Sequence, residues 1–129
     1  MIKVKVNTPP KSGDLMNLFS QVDWAKNRKS RDVEKMLSNE DWMVCLYDGE
    51  LLVGFARIIT DGCFRGLLDD VIIDRAYRSK GLGRKLMQEI MALSRPLDAL
   101  FLNAGMEMEA FYVRFGFHKF EKLTMIYRK

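Results

Sequence analysis

The sequence Arg-Ser-Lys-Gly-Leu-Gly at residues 78–83 has the composition of a phosphate-binding turn. It follows an apolar run at 71–73 and precedes an amphipathic segment at 85–93, which predicts a strand that turns through two glycines into a helix. Such a turn leaves several backbone N–H groups at one place, where the helix dipole adds about half a positive charge. The basic side chains that surround it are Arg78, Lys80, Arg84 and Lys85.

The spacing of this turn differs from two familiar phosphate-binding motifs. No Gly-Lys-Ser/Thr follows four variable residues, so the turn is not a Walker A loop. Leu86 stands where the dinucleotide-binding fingerprint has its third glycine. The sequence therefore predicts a pyrophosphate site of another kind.

Two motifs together carry a resemblance to a known family. Residues 68–83, Leu-Asp-Asp-Val-Ile-Ile-Asp-Arg-Ala-Tyr-Arg-Ser-Lys-Gly-Leu-Gly, resemble the strand and the Arg-x-x-Gly-x-Gly loop that bind acyl-CoA in the GNAT superfamily of N-acetyltransferases. Residues 111–117, Phe-Tyr-Val-Arg-Phe-Gly-Phe, are similar to the Phe-Tyr-x-x-x-Gly-Phe of that family. The motifs occur in the family's order. The resemblance departs from the family pattern at Gly105, where many members have an Asn, and at Met108, which replaces an alanine.

The resemblance implies transfer of an acetyl group from acetyl-CoA to an amine, by direct attack while both substrates are bound, and requires no metal. It implies that the backbone of Ile72 and Ile73 binds the pantetheine arm and the thioester carbonyl of the coenzyme. The pyrophosphate would lie on the loop, mostly on main-chain N–H groups. The loop residues assigned to the pyrophosphate are Arg78, Ser79, Lys80, Gly81, Leu82 and Gly83.

Acetyl transfer also needs proton transfers. The resemblance places Tyr112 as the general acid beside the coenzyme sulfur, and a core tyrosine is the plainer interpretation of that residue. Asp69 and Asp70 are candidate general bases, because the family often has an acidic residue on this strand. Side chains alternate along a strand, so we expect at most one of the two to face the amine unless a bulge intervenes. Asp69 aligns with a position that is often glutamate.

Composition limits the possible classes of protein. The 129 residues are enough for one domain, residues 1–129, and no apolar stretch approaches the roughly 20 residues of a membrane span. The N-terminus lacks a signal-peptide core, which predicts a cytoplasmic protein whose Cys45 and Cys63 remain thiols. The net charge of +4 is spread over the chain, which argues against a nucleic-acid-binding arm.

The periodicity predicts an α/β fold with a mixed central sheet flanked by helices, in the order β-α-α-β-β-β-α-β-α-β. Asp48-Gly49 predicts a tight hairpin between strands at 42–47 and 51–60. The segment at 99–103 is apolar enough to be a strand buried on both faces. Two closing strands are expected at Phe117–Lys119 and Leu123–Tyr127, and their exposed edge allows a homodimer.

The acceptor is predicted only as a class, a small-molecule or peptide amine. The first two helices and adjoining loops should bind it, and they contain Leu15, Phe19, Trp24 and Trp42 with Asp14 and Asp23 as possible ammonium partners. Two other functions stay open. One is a non-catalytic acyl-CoA-binding or sensing domain. The other is a small basic nucleic-acid binder, although the sequence contains no recognisable recognition helix and no pair of aromatic residues for stacking on RNA.

Overall fold

A computed structural model describes residues 1–128. Five strands form one mixed sheet in the order β1-β2-β3-β4-β5, flanked by helices. The strands are β1 (Ile2–Val6), β2 (Trp42–Asp48), β3 (Leu51–Thr60), β4 (Arg65–Ile73) and β5 (Ala99–Leu102). The helices are α1 (Ser12–Phe19), α2 (Ser30–Ser38), α3 (Leu82–Leu93) and α4 (Glu109–Val113). The predicted fold class is confirmed.

The first four strands are antiparallel to their neighbours, and β5 runs parallel to β4 after the α3 crossover. The β2–β3 hairpin turns at Gly49, whose φ of +60° is a conformation that glycine adopts without steric cost. The Asp-Gly turn predicted from the sequence is therefore present, with Asp48 paired to Leu51.

The sheet is covered on both faces, and each face has its own apolar cluster. One cluster joins α3 and Tyr112 of α4 to the strands, with Leu86 and Ile90 fully buried. The other joins α1 and α2 to the opposite face, with Leu15 and Phe19 at its centre. The 3.6-residue spacing of these side chains turns one stripe of each helix toward the sheet.

A β-bulge interrupts β4 at its centre. Phe55 of β3 pairs with Ile72, but Arg57 pairs with Asp69, so that two residues of β4 oppose the single residue Ala56. Asp70 takes a left-handed conformation at this point, with a φ of +55°. The extra residue reverses the alternation along β4. Leu68 packs under α3, whereas Ile72 packs under α1 and α2.

The parallel pairing of β4 with β5 ends early. It runs from Arg65 opposite Ala99 to Leu68 opposite Leu102, and there β5 stops. The second half of β4, from Asp69 to Ile73, thus has a ladder with β3 on one side and no strand on the other. The sheet opens at the bulge, and one 3-10 turn, Arg75–Tyr77, connects the free backbone edge to the glycine-containing loop.

Two expectations about the end of the sheet are wrong. β5 is not buried on both faces, because it is the edge strand and each of its residues is at least partly exposed. The closing strands expected at Phe117–Lys119 and Leu123–Tyr127 are not formed in the described chain. Between them lies Phe120-Glu121-Lys122, which contains none of the Gly, Asn, Asp or Pro residues that favour a tight turn, so the segment does not fold back into a hairpin.

Within residues 1–128, no helix has both the length and the apolar character needed to cross a membrane.

Candidate functional site

The loop after β4 presents a run of free backbone donors. None of the N–H groups from Ser79 to Arg84 donates to an acceptor within residues 1–128, and the first to do so is that of Lys85, to the Gly81 carbonyl at 3.2 Å. Ser79 and Gly81 both have positive φ, +62° and +80°, which curls the chain so that these groups gather ahead of α3. Successive N–H groups in a backbone of this kind are able to bind an anion.

The two glycines of the loop serve different purposes. Gly81 precedes α3 in a left-handed conformation, and a Cβ there would meet no atom within 4 Å. Gly83 lies under α4, because a Cβ on it would approach the Phe111 ring at 3.3 Å. Gly81 is thus needed for the turn and Gly83 for the contact between α3 and α4. Leu82 offers only its N–H to the loop, since its side chain is buried in the core.

The basic side chains of the loop remain accessible. Arg78, Ser79 and Lys80 are exposed, and the Arg78 Nε donates to the Ile73 carbonyl at 3.2 Å. The Lys80 ammonium lies 5.2 Å from the centre of the Tyr77 ring. The loop therefore combines free N–H groups with exposed positive charge, and groups of these two kinds are able to bind a pyrophosphate.

Several residues hold the start of this loop, and the sequence interpretation missed them. The Gln21 side chain donates to Asp74 Oδ2 at 3.1 Å and accepts from the Arg75 N–H at 2.9 Å. Asp74 also accepts from the Ala76 N–H at 2.9 Å. The Tyr77 hydroxyl donates to Asp48 at 2.6 Å, a bond that raises the pKa of the phenol. Only the Asx turn at Asp74 had a local sequence signal, because the other contacts join distant segments.

The residues predicted to contact the pantetheine arm lie on the open edge of β4. The side chain of Ile72 is buried between the sheet and the first two helices, and Ile73 packs partly against the α3 cluster. Neither side chain is therefore the binding group. The backbone of this segment is available, because β5 ends before it reaches Asp69.

Both candidate carboxylates contact the same guanidinium. Asp70 accepts from the Arg57 Nε at 2.7 Å, and Asp69 lies 3.5 Å from Arg57 Nη2. Regular alternation would place the two side chains on opposite faces, but the bulge that was named as the exception is present, and with the left-handed conformation of Asp70 it brings both to Arg57. Their exposures differ sharply. The Asp70 side chain is fully buried, whereas that of Asp69 is 41% exposed.

Two further charged residues complete this cluster. Arg28, from the segment between α1 and α2, lies 3.0 Å from Asp70, and Asp41 lies 3.2 Å from Arg57. The Arg28 guanidinium is stacked 4.7 Å from the Phe19 ring and 5.7 Å from the exposed ring of Trp24. Asp70 is thus enclosed by two arginines, which also anchor the loop before α2 to the bulge.

Tyr112 lies on α4 with its ring largely buried. It packs 5.0 Å from Phe111 and 5.9 Å from Phe117, ring centre to ring centre. Its hydroxyl forms no hydrogen bond with any residue of the described chain, and it lines a groove between β5 and α4. Burial raises the pKa of the phenol above its ordinary value. The group therefore stays protonated at neutral pH and is able to donate a proton.

The structure brings most of the predicted residues to one end of the sheet. The Phe111–Gly83 contact joins α4 to the start of α3, and the free edge of β4 leads into the same loop.

Of the residues predicted for the acceptor, Leu15 and Phe19 are core, whereas Trp24 is exposed and Asp23 pairs with Lys26 at 3.2 Å. Among residues 1–128, no three His, Cys, Asp or Glu side chains are grouped closely enough to hold a metal ion.

Comparison with known protein families gives one matching model. Residues 13–117 match the model described as Acetyltransferase (GNAT) family. The match includes the β4 strand, the glycine-containing loop and the segment around Tyr112.

Curated relatives are similar over most of the chain. The uncharacterized N-acetyltransferase ycf52 of Gracilaria tenuistipitata var. liui is 29% identical over 110 residues, which are 81% of this chain and 60% of the relative. Histone acetyltransferase TAP1 of Glycine max is 26% identical over 81% of this chain and 50% of its own length. The chain thus spans half to three fifths of these two relatives.

Solved structures share the fold along the whole chain. A probable acetyltransferase of Staphylococcus aureus, SA2161, superimposes with a TM-score of 0.86 at 27% identity, covering 100% of this chain and 99% of that one. Glucosamine-6-phosphate N-acetyltransferase of Arabidopsis thaliana superimposes with a TM-score of 0.77 at 14% identity, covering 100% and 99%. The second likeness concerns the fold alone.

Proposed function

The chain belongs to the GNAT acetyltransferase family, and from this premise we propose that it transfers an acetyl group from acetyl-CoA to the amine of a small molecule or peptide. Transfer occurs by direct attack while both substrates are bound. The alternative of a small nucleic-acid binder has no support in the site, because the exposed basic side chains of the loop surround a compact set of N–H donors instead of forming an extended basic surface.

One observation carries the proposal. The unpaired edge of β4 ends at Ile73, and the free N–H groups from Ser79 to Arg84 follow after one 3-10 turn, Arg75–Tyr77. An extended pantetheine arm needs a strand edge with which to pair, and a pyrophosphate needs clustered donors one arm's length away. A chain in which an unpaired strand edge is followed by clustered N–H donors suits acyl-CoA better than a free phosphate.

The bulge in β4 has a specific role in this account. It turns the backbone at Asp70 and Val71 out of the ladder with β3. The Asp70 N–H donates to the Asp69 carboxylate at 3.0 Å, so we assign the Val71 N–H to the thioester oxygen. A donor that is fixed before the reaction stabilises the negative charge that develops on that oxygen. Arg57 and Arg28 hold Asp70 and thereby fix the bulge.

Tyr112 and Asp69 are assigned the proton transfers. The protonated phenol of Tyr112 donates to the sulfur as the C–S bond breaks, so that free thiol leaves. Asp69 accepts the proton of the attacking ammonium, directly or through water, because its carboxylate is the accessible member of the pair. Asp70 is assigned to position the strand, since two guanidinium groups enclose it.

The acceptor is assigned to the face of the sheet that carries α1 and α2. Asp69 opens toward this face, where Trp24 offers an exposed ring beside Arg28. Asp69 is linked to Trp24 through Arg57, Asp70 and Arg28, and a carboxylate on the same face as an exposed aromatic ring suits an amine that bears an apolar part.

Thiol release from acetyl-CoA in the presence of a panel of amines tests the proposal. The account predicts amine-dependent release by the intact protein that is lost in Asp69→Asn, with acetyl-CoA binding retained. A sensing domain predicts saturable acetyl-CoA binding with no release above background for polyamines, amino acids, aminoglycosides, arylalkylamines or N-terminal peptides. Absence of acetyl-CoA binding in folded protein would reject both.

A further inference from the structure

An ion-pair network connects the candidate general base to the segment between α1 and α2. Asp69 lies 3.5 Å from Arg57 Nη2, and Arg57 Nε donates to Asp70 Oδ2 at 2.7 Å. The same Asp70 oxygen lies 3.0 Å from Arg28 Nη1. Asp41 is a side branch, 3.2 Å from Arg57. Negative and positive groups therefore alternate along the network, which begins at the Asp69 carboxylate and ends at the Arg28 guanidinium.

The two ends of this network are its most exposed groups. The Asp69 side chain is 41% exposed and that of Arg28 is 32% exposed. Between them, the side chains of Arg57 and Asp70 are only 11% and 0% exposed. The inner groups are paired with each other, as buried charges must be, whereas each outer group has a partner on one side only. A ligand that matches both ends carries an ammonium for the carboxylate and an anion for the guanidinium.

Arg28 has donors left for such an anion. Its Nη1 atom is buried against Asp70, so the exposed part of the side chain is formed by the remaining atoms. Nε and Nη2 donate to no acceptor within residues 1–128. The guanidinium is also stacked 4.7 Å from the Phe19 ring, which limits its orientation. A planar guanidinium of fixed orientation binds a carboxylate or a phosphate through two parallel N–H groups.

The sequence around Arg28 adds positive charge at this end of the network. Lys26, Lys29 and Arg31 are exposed, and of these three Lys26 is paired with Asp23 at 3.2 Å. Neither Lys29 nor Arg31 forms an ion pair with another residue of the described chain. Exposed charges act over about 8 Å at physiological ionic strength. The segment therefore attracts an acidic acceptor and repels a lysine-rich peptide.

We propose that the acceptor is an amine that also carries an acid group, which binds Arg28 while the ammonium lies at Asp69. This assignment deepens the proposed function and rests on it. The short contacts of the network place its two ends within the length of about three extended residues, so the amine and the acid are several bonds apart. The exposed Trp24 ring, 5.7 Å from the Arg28 guanidinium, offers an apolar surface to the atoms between them. A small amino acid and a peptide with an acidic residue near its N-terminus both have this chemistry.

Rates of thiol release with matched pairs of amines test the assignment. γ-Aminobutyrate and butylamine differ only in the carboxylate, and phosphoethanolamine and ethanolamine differ only in the phosphate. The amidated peptides Ala-Glu-Trp and Ala-Gln-Trp differ only in the acid of the second side chain. In at least one pair, kcat/KM should be about tenfold or more higher for the acidic member, as expected for one charge-assisted hydrogen bond. The pair that shows the preference distinguishes a small-molecule acceptor from a peptide.

Arg28→Lys tests the guanidinium itself. A lysine ammonium is able to pair with Asp70, but it offers no second pair of fixed N–H groups to the ligand. The ratio of kcat/KM between the acidic and neutral members should therefore fall to within about twofold of one. This ratio is the readout because a disturbed bulge would slow both members alike. Arg31→Lys makes the same change at an exposed position of α2 and should keep the ratio of the intact protein.

The outcomes separate this inference from the proposed function. Amine-dependent release without a preference for any acidic member, or a preference that Arg28→Lys retains, would overturn the inference alone. Absence of release with every amine would reject the proposed function. Calorimetric titration of the acidic members into protein saturated with CoA then decides the inference. Binding that Arg28→Lys weakens and Arg31→Lys does not would support the site, and no binding of any acidic member would overturn it.

Discussion

In the proposed mechanism, Tyr112 is the residue on which the chemistry depends most. Its ring is held by Phe111 and Phe117, and its hydroxyl has no partner among the residues described. A structural tyrosine that is buried usually bonds its hydroxyl to a neighbour. A protonated phenol that is held in place and left unbonded is instead able to donate to a substrate.

Replacement of Tyr112 by Phe should lower kcat by about 10²-fold and leave KM for acetyl-CoA nearly unchanged, because a general acid acts only as the thiolate leaves. Steady-state thiol release measures both constants. Tyr47→Phe is the control, since Tyr47 is a partly buried tyrosine of the opposite cluster and its pKa is also raised. Equal kcat values for Tyr112→Phe and the intact protein would remove the general acid from the mechanism.

The raised pKa of Tyr112 predicts how activity changes at alkaline pH. Burial raises the pKa of Tyr112, so the protonated and active form persists at neutral and mildly alkaline pH. Activity that depends on this proton should fall only as the pH passes the raised pKa. A loss of kcat that begins near neutrality on the alkaline side would mean that another group supplies the proton.

The two neighbouring aspartates should separate stability from activity. Asp70→Asn removes a charge that two arginines enclose, and we expect a loss of about 3 kcal/mol in the free energy of unfolding. Asp69→Asn should change the stability by less than about 0.5 kcal/mol and should lower kcat, because the amide oxygen of Asn can still accept from the Asp70 N–H and the lost contact with Arg57 is long and exposed. Urea unfolding and steady-state rates on both variants test this contrast, and the reverse pattern would exchange the two roles.

Sequence alone proposed these two residues as candidates but did not predict their geometry. Alternation along a regular strand places Asp69 and Asp70 on opposite faces. The bulge interrupts this alternation, and the sequence has no glycine there that would indicate a bulge. The partners of Asp70 are equally hidden. Arg28 and Arg57 are 42 and 13 positions away in the chain, and only the packing of α1, α2 and the sheet brings them together.

The elements around the loop show how a flexible turn is held in position. Gln21 follows α1 and Asp48 ends β2, yet both bond to the turn that connects β4 to the loop. These contacts reduce the number of conformations open to the loop before a ligand arrives, and preorganisation of this kind lowers the cost of binding.

Gln21→Glu should therefore weaken acetyl-CoA binding about five- to tenfold. The variant keeps an acceptor for the Arg75 N–H but replaces the donor to Asp74 with a like charge, which is unfavourable at 3.1 Å. Calorimetric titration measures the change in Kd. Gln88→Glu, an exposed position on α3, makes the same change of charge and should bind normally. Equal affinities of both variants for acetyl-CoA would show that the hydrogen bonds of Gln21 to Asp74 and Arg75 do not support the loop.

Secondary-structure patterns were reliable where local signals agreed. The Asp48-Gly49 hairpin and the strand–loop–helix around Gly81 are present as predicted, because turn chemistry and periodicity indicate the same structure. The closing strands failed for the converse reason. Leu123–Tyr127 has the spacing of a strand, but a strand needs a neighbouring edge, and periodicity says nothing about where that edge is.

In the whole molecule, the two faces of the sheet carry different groups of residues. The α1 and α2 face carries the charged cluster and Trp24, and the α3 and α4 face carries the loop helix and Tyr112. The open seam between β4 and β5 passes from one face to the other. A substrate pair that meets at this seam can approach from opposite faces.

The two cysteines should report the opening of this whole structure. Cys45 is fully buried in β2, and burial raises the pKa of its thiol to about 12, whereas Cys63 is exposed. Because the thiolate is the reactive form, Cys63 should react with a disulfide reagent at once and Cys45 only when the sheet unfolds. The rate at Cys45 should rise with urea, and Cys63→Ser should remove only the fast phase. Two fast phases in native protein would contradict the packing of β2.

The most direct test of the central claim is a calorimetric titration of acetyl-CoA into the intact protein, Gly81→Val and Gly62→Val. Both glycines have φ near +80°, so a β-branched side chain strains both backbones similarly, but Gly62 lies in the β3–β4 turn at the other end of β4. We predict saturable binding that Gly62→Val retains and that Gly81→Val weakens by at least about tenfold, as the donors of the loop lose their common direction. Equal binding by both variants, or none by the intact protein, would contradict the assignment of this loop to the coenzyme.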